Sequence, residues 1–138
     1  MDYSKEIQKS VDYIEEHLCE KIDLGKVAKQ SHFSKFYFHR LFHKVVGEPM
    51  AEYIRKRRLE EAANDLVETR EKVTEIALKY QFSSQESFSR AFKKSFGMTP
   101  REYRNMGLVL KQQPNIQIMF KANQKLQRQR SNAIRMAA

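Results

Sequence analysis

Residues 24–47 read LGKVAKQSHFSKFYFHRLFHKVVG, and residues 73–97 read VTEIALKYQFSSQESFSRAFKKSFG. Slid against each other by roughly fifty positions, the two stretches fall into register, the mark of a repeated supersecondary unit. Leu24, Val27, Ala28, Phe33 and Ser34 pair with Val73, Ile76, Ala77, Phe82 and Ser83. After one inserted residue, Phe38, Arg40, Phe42, Lys44, Gly47 and Tyr53 pair with Phe88, Arg90, Phe92, Lys94, Gly97 and Tyr103.

Each copy reads as a short helix, a tight turn and a longer helix closed by glycine, with Gly47 and Gly97 where a left-handed C-terminal cap is wanted. That is helix-turn-helix grammar. Ala28 and Ala77 fall where two steeply crossing helices must approach closely. In the longer helices Phe38, Leu41, Phe42 and Val45 recur at helical spacing, as do Phe88, Ala91, Phe92 and Ser95, so each helix has one buried face. Asp23 is expected to cap the first short helix. Ser83 with Glu86 forms a capping-box pattern, and Thr99-Pro100-Arg101-Glu102 combines a cap, proline at the first helical position and a second box.

Outside the repeat, Ile7, Val11, Ile14 and Leu18 form one stripe of an opening helix, and a long helix from about Met50 to Val67 joins the halves. Cys19, the one cysteine, reads as a small apolar filler beside Leu18. Only 4 Gly and 3 Pro, and no sustained alternation of apolar with polar residues, point away from sheets. The expected fold is all-α, with two helix-turn-helix subdomains and about seven helices. Subdomain one covers about 5–48, the linking helix about 50–67 and subdomain two about 70–105, followed by a basic tail or linker remnant at 106–138.

The formal charge is +9, from 26 Lys and Arg against 17 Asp and Glu. All 17 acids precede residue 105, so the net surplus there is +3 and the tail supplies +6. The surplus points to an anionic partner, and the tail cations add backbone affinity for DNA or keep the segment solvated. No apolar run approaches the ~20 residues of a membrane span, and the N-terminus has no apolar signal core, so a soluble cytoplasmic, nucleoid-associated protein is expected. There is no phosphate-binding glycine loop, nucleophile elbow or metal-ligand motif, and the reading is of no enzyme, no cofactor and no metal. His39 and His43 stand at i and i+4, but no third ligand accompanies them.

With one face of each longer helix buried, the other presents Lys35, Phe36, His39, Arg40 and His43 in the first copy, and Gln85, Glu86, Ser89, Arg90 and Lys93 in the second. Arg bonds both acceptors of a guanine edge, Gln pairs with adenine, Glu accepts from cytosine and an aromatic packs on a thymine methyl, so these side chains suit a major groove. Arg40 and Arg90 hold equivalent places in the repeat. Glu86 either reads cytosine or folds back as the capping partner of Ser83, with capping preferred. A linking helix of ~18 residues is ~27 Å long, comparable with the ~34 Å between successive major-groove faces, so one monomer could engage two grooves. Unlike reading residues in the two halves predict an asymmetric site. Of Arg55, Lys56, Arg57 and Arg58, which point around the helix, only some can meet phosphate; others pair with Glu60 or Glu61 or anchor helix packing.

The residues from about Ile7 to Arg104 resemble the DNA-binding domain of the AraC/XylS family, especially its small stand-alone members. The resemblance is carried by Val27-Ala28 through Phe33-Ser34-Lys35-Phe36-Tyr37-Phe38-His39-Arg40-Leu41-Phe42, by Gly47 and Tyr53-Ile54-Arg55, and by Ile76-Ala77 through Gly97-Met98-Thr99-Pro100-Arg101-Glu102-Tyr103-Arg104. It implies a seven-helix bipartite fold whose third and sixth helices enter major grooves, and a transcription activator that recruits RNA polymerase. It also implies base reading by Phe36, His39 and Arg40, and by Gln85, Glu86, Ser89 and Arg90, with Lys93 on phosphate. The chain departs from the stand-alone members at Phe36, where they carry tryptophan, and at His39 and Glu86, where they carry glutamine, so a different operator is expected. Many members place a ligand or dimerisation domain first; here a helix starts within a few residues of Met1, so any sensor domain is expected to follow. Two other readings stay open: the DNA-reading half of a larger ligand-responsive regulator, and a helical adaptor that binds protein.

Overall fold

The computed structural model describes residues 3–111. Seven helices make up the described chain, with no strand among them: α1 (Tyr3–Glu16), α2 (Leu24–Lys29), α3 (Lys35–Val46), α4 (Met50–Glu68), α5 (Val73–Lys79), α6 (Gln85–Phe96) and α7 (Pro100–Lys111). The expected basic tail lies outside the described residues from 112 onward. The chain divides into two compact units, and the division falls inside α4, between Arg55 and Lys56.

In the first unit Ile7, Val11, Ile14 and Leu18 are buried together with Val27, Ala28, Phe38, Leu41, Phe42, Val46, Met50, Tyr53 and Ile54. This is the expected stripe of α1 closing over α2, α3 and the start of α4. Phe42 meets Tyr53 edge-to-face at 6.0 Å between ring centroids, and the Tyr53 hydroxyl donates to the Glu15 carboxylate at 3.0 Å. The inward position at the end of α3 belongs to Val46, with Val45 only partly buried. Cys19 is exposed, contrary to the filler reading. The helical face assumed for it ends too soon, because α1 stops at Glu16 and Cys19 lies in the turn beyond.

The second unit repeats the plan. Leu59, Ala62, Ala63, Leu66 and Val67 of α4 pack with Val73, Ile76, Ala77, Tyr80, Phe88, Ala91, Phe92 and Tyr103. Phe92 stacks on Phe96 at 4.4 Å and meets Tyr103 edge-on at 5.3 Å. Phe96 therefore fills the last inward place of α6, and Ser95, expected there, is exposed. Ideal periodicity alone would keep residue 95 on the stripe; at this end of the helix the place goes to Phe96 because its ring packs on Phe92 and, at 5.4 Å, on Tyr103 of α7. Asp65 accepts from Lys79 Nζ at 2.8 Å and from the Tyr80 hydroxyl at 2.7 Å, tying α4 to α5. The hydrogen bond to Asp65 holds the Lys79 ammonium above its ordinary range.

Helix α7 runs to Lys111, so the boundary expected at 105 falls inside a helix. Packing extends it: Met106 lies against the second core, and Gly107 meets Val67 so closely that an added Cβ would stand 2.6 Å from Val67 Cγ2. Arg104 donates from Nε to the carbonyl of Leu66 at 2.7 Å and from Nη2 to that of Glu71 at 2.6 Å. It thereby satisfies one of the last carbonyls of α4, which no amide of that helix can reach.

Candidate nucleic-acid interface

The two helix-turn-helix units set α3 and α6 through the same local devices. Asp23 Oδ1 caps α2, accepting from the amides of Gly25 at 2.9 Å and Lys26 at 3.3 Å. Ser34 caps α3, accepting from Tyr37 N at 3.2 Å. In the second copy the cap is Ser84, which accepts from Ser87 N at 3.1 Å, while Ser87 Oγ accepts from Ser84 N at 3.3 Å. The Ser83–Glu86 box is thus corrected by one residue. Since α6 starts at Gln85, Glu86 is its second residue and Ser87 its third, and only the third can reach back to the cap. With Ser34 and Ser84 as equivalent caps, the inserted residue of the second copy is Ser83 itself, which corrects its pairing with Ser34, and Gln81 in the same turn has φ 69, the one positive φ outside glycine among the described residues. Gly47 at φ 97 and Gly97 at φ 77 close the two helices, donating to the carbonyls of His43 at 2.9 Å and Lys93 at 2.8 Å. The box at Thr99 and Glu102 forms as expected, with both bonds at 3.2 Å. Its hydrogen bonds hold the Glu102 carboxyl below the ordinary range.

On α3, Phe38, Leu41 and Phe42 point inward, while Lys35, Phe36, Arg40 and His43 are exposed and His39 is half-buried. Phe36 is 73% exposed, an unusual setting for a phenylalanine. The Arg40 guanidinium lies over its ring at 5.7 Å from the centroid. On α6, Phe88, Ala91 and Phe92 point inward, while Glu86, Arg90 and Lys93 are exposed and Gln85 and Ser89 are half-buried. Gln85 Oε1 accepts from Thr74 Oγ1 at 2.6 Å, which fixes the glutamine amide from α5. Arg90 Nη2 is hydrogen-bonded to the Glu86 carboxylate. Each predicted set therefore gathers on the outward face of its own helix. In both, the arginine is held by the side chain four residues earlier, by an aromatic face in one copy and a carboxylate in the other.

In the basic run of α4 the expected pairing with Glu60 and Glu61 falls to Arg57. Arg57 is buried and pairs with Glu60 at 2.8 Å and Glu61 at 3.0 Å, while Arg55 and Lys56 are exposed. Three features of this surface escaped the site reading. Lys44 and Lys94 are exposed at equivalent places in the last turns of α3 and α6, legible from the repeat itself. Tyr37 is partly exposed at the start of α3 and packs with Tyr3 at 6.4 Å and Phe33 at 5.3 Å, a contact from α1 that no local pattern marks. Thr74 could be found only once α5 was seen to cross beside Gln85.

Helix α3 carries Lys35, Arg40 and Lys44 and no acid; α6 carries Arg90, Lys93 and Lys94 against Glu86 alone. A convex helix face with surplus cations, an arginine and flanking groups suited to base edges is what a major groove accepts.

A family model for the helix-turn-helix domain matches residues 27–106. The HTH-type transcriptional regulator YbfP of Bacillus subtilis (strain 168) is 50% identical over 104 residues, 75% of this chain and 35% of that protein. The HTH-type transcriptional activator AarP of Providencia stuartii is 46% identical over 92 residues, 67% of this chain and 68% of AarP. Among solved structures, the C-terminal domain of AraT, a response regulator from Geobacillus stearothermophilus, superposes with a TM-score of 0.70 at 30% identity, over 77% of this chain and 88% of that one. The chain thus spans about a third of the length of YbfP and about two thirds of AarP.

Proposed function

The chain belongs to the AraC-type helix-turn-helix family of DNA-binding domains, and from that premise we propose that it is a sequence-specific transcription regulator that activates as a monomer on an asymmetric site. Helices α3 and α6 enter successive major grooves. The observation that carries this reading is the pair of matched recognition helices, each with a buried aromatic face and an outward arginine, Arg40 or Arg90, at the same place in the repeat. Lys35, Phe36, His39, Arg40 and His43 serve the first sub-site; Gln85, Glu86, Ser89, Arg90 and Lys93 serve the second. The single helix α4 of 19 residues, ~28 Å long, is of the right order to bridge two grooves ~34 Å apart, with some bending of the DNA.

Activation is supported by the likeness to AarP, whose name makes it an activator, and contact with RNA polymerase follows from that reading. The DNA-reading module includes α7, which packs on the second core through Met106 and Gly107, and the cationic C-terminal segment adds sequence-independent affinity. A second reading, that this is the DNA-reading part of a larger ligand-responsive regulator, is favoured by the match to only 35% of YbfP.

The test is selection of bound sequences from random duplex DNA, followed by titration of the winner with Arg40→Ala and Arg90→Ala. An asymmetric site about two helical turns long is expected, each substitution costing ~1–3 kcal/mol and relaxing preference in its own half. A palindromic winner would refute monomer binding, and no enrichment at all would refute specific reading. Transcription in vitro from a promoter carrying the selected site then separates an activator from a repressor.

A further inference from the structure

The two recognition helices hold their arginines in different ways, and the difference bears on how each half discriminates. Arg40 lies on the face of Phe36, a neutral partner that leaves its charge in full. Arg90 is bound to the carboxylate of Glu86, and both side chains are largely exposed. Such a surface pair is weak in water and opens easily. Near DNA the balance changes: if a phosphate draws Arg90 away, Glu86 is left as an unpaired carboxylate among phosphates, in a groove that has excluded much of its water. No other acid stands on α6, and the capping role expected of Glu86 is filled by Ser87.

A carboxylate only accepts hydrogen bonds, and the donors on a major-groove floor are the amino groups of cytosine and adenine. Arg90 needs the paired acceptors of guanine. We infer that Glu86 and Arg90 act as one reading unit in which the carboxylate is a specificity filter: it offsets the attraction of Arg90 for phosphate on any sequence, and releases it only where cytosine faces Glu86 and guanine faces Arg90. The second sub-site would then be read against a lower electrostatic background than the first. This inference rests on the DNA-binding reading above and names what the second half of that site recognises.

The experiment compares wild type, Glu86→Ala, Glu86→Gln, Arg90→Ala and the double variant Glu86→Ala/Arg90→Ala, by selection from random duplexes and by titration of the winner and of a scrambled duplex over a range of salt. For Glu86→Ala, affinity for the scrambled duplex should rise roughly threefold to tenfold, and the salt dependence should steepen by about one phosphate equivalent. Discrimination for cytosine opposite position 86 should fall from roughly tenfold or more to near unity. Glu86→Gln should steepen the salt dependence alike but move that preference toward adenine, separating the charge from the shape. Arg90→Ala should bind the scrambled duplex more weakly than the double variant does, because it strands the carboxylate. If wild type selects a site and Glu86→Ala selects the same one with the same salt dependence, the filter is refuted while DNA reading stands. If wild type enriches no sequence, the regulator reading fails and the filter with it.

Discussion

At Gly107 the side chain is absent because Val67 occupies its place. The glycine sits inside α7, where it costs about 1 kcal/mol relative to alanine in helix propensity, and the position is buried. An added Cβ would meet Val67 Cγ2 at 2.6 Å, so Gly107→Ala gains propensity and loses the packing between α4 and α7. Overpacking wins at that distance: the substitution should destabilise the protein by ~1–3 kcal/mol in urea unfolding, and Val67→Ala should recover part of the loss when combined with it. The same close seam explains Arg104, whose guanidinium bonds two backbone carbonyls across it. An arginine in a basic DNA-binding chain invites a phosphate role; here it is a fastener.

At the level of the element, α3 and α6 are set by their ends. Gly47 and Gly97 hold positive φ with open space where a Cβ would go, so the cost of alanine there is conformational alone. Each Gly→Ala should cost ~1 kcal/mol, and the double variant about twice that by thermal unfolding, since the sites lie in different units. The box that opens α7 carries a pH dependence. The folded Glu102 carboxyl titrates below its ordinary value, so its stabilisation is complete above that ordinary value, near 4.5, and is lost as pH falls through the folded value. Glu102→Gln keeps the shape of the box and should remove this acid-range dependence, read as a flatter stability-against-pH curve below pH 5.

For the whole molecule, two cores share one continuous helix. Ile54 and the residues before it on α4 belong to the first core, and Leu59 and those after it to the second. Phe92 is fully buried and carries ring contacts to Phe88, Phe96 and Tyr103. Phe92→Ala should cost ~3–5 kcal/mol, and its effect should concentrate in the second unit. Amide exchange is expected to lose protection across α5, α6 and α7 before α1 and α3. Equal loss in both units would mean that the two cores unfold as one.

The internal repeat, read as sequence, determined the all-helical fold, the helix-turn-helix units, the glycine caps and the outward faces of α3 and α6, because these depend on periodicity and end signals within a dozen residues. It misassigned what turns on a single residue of phase. The cap of α6 is Ser84 and not Ser83, and the last inward place is Phe96 and not Ser95; Cys19 was misread for another reason, since α1 ends at Glu16, three residues before it. A helical stripe is broad, so a shift of one leaves the pattern intact while exchanging the side chain at its edge. Tertiary structure alone decided the roles of Thr74, Arg104 and Gly107, and the pairing of Glu86 with Arg90 in place of a cap. For Thr74, Arg104 and Gly107 the partner is 11 or more residues away in the chain, and for Glu86 two local partners compete, so the outcome turns on packing and helix phase and not on any spacing in the sequence.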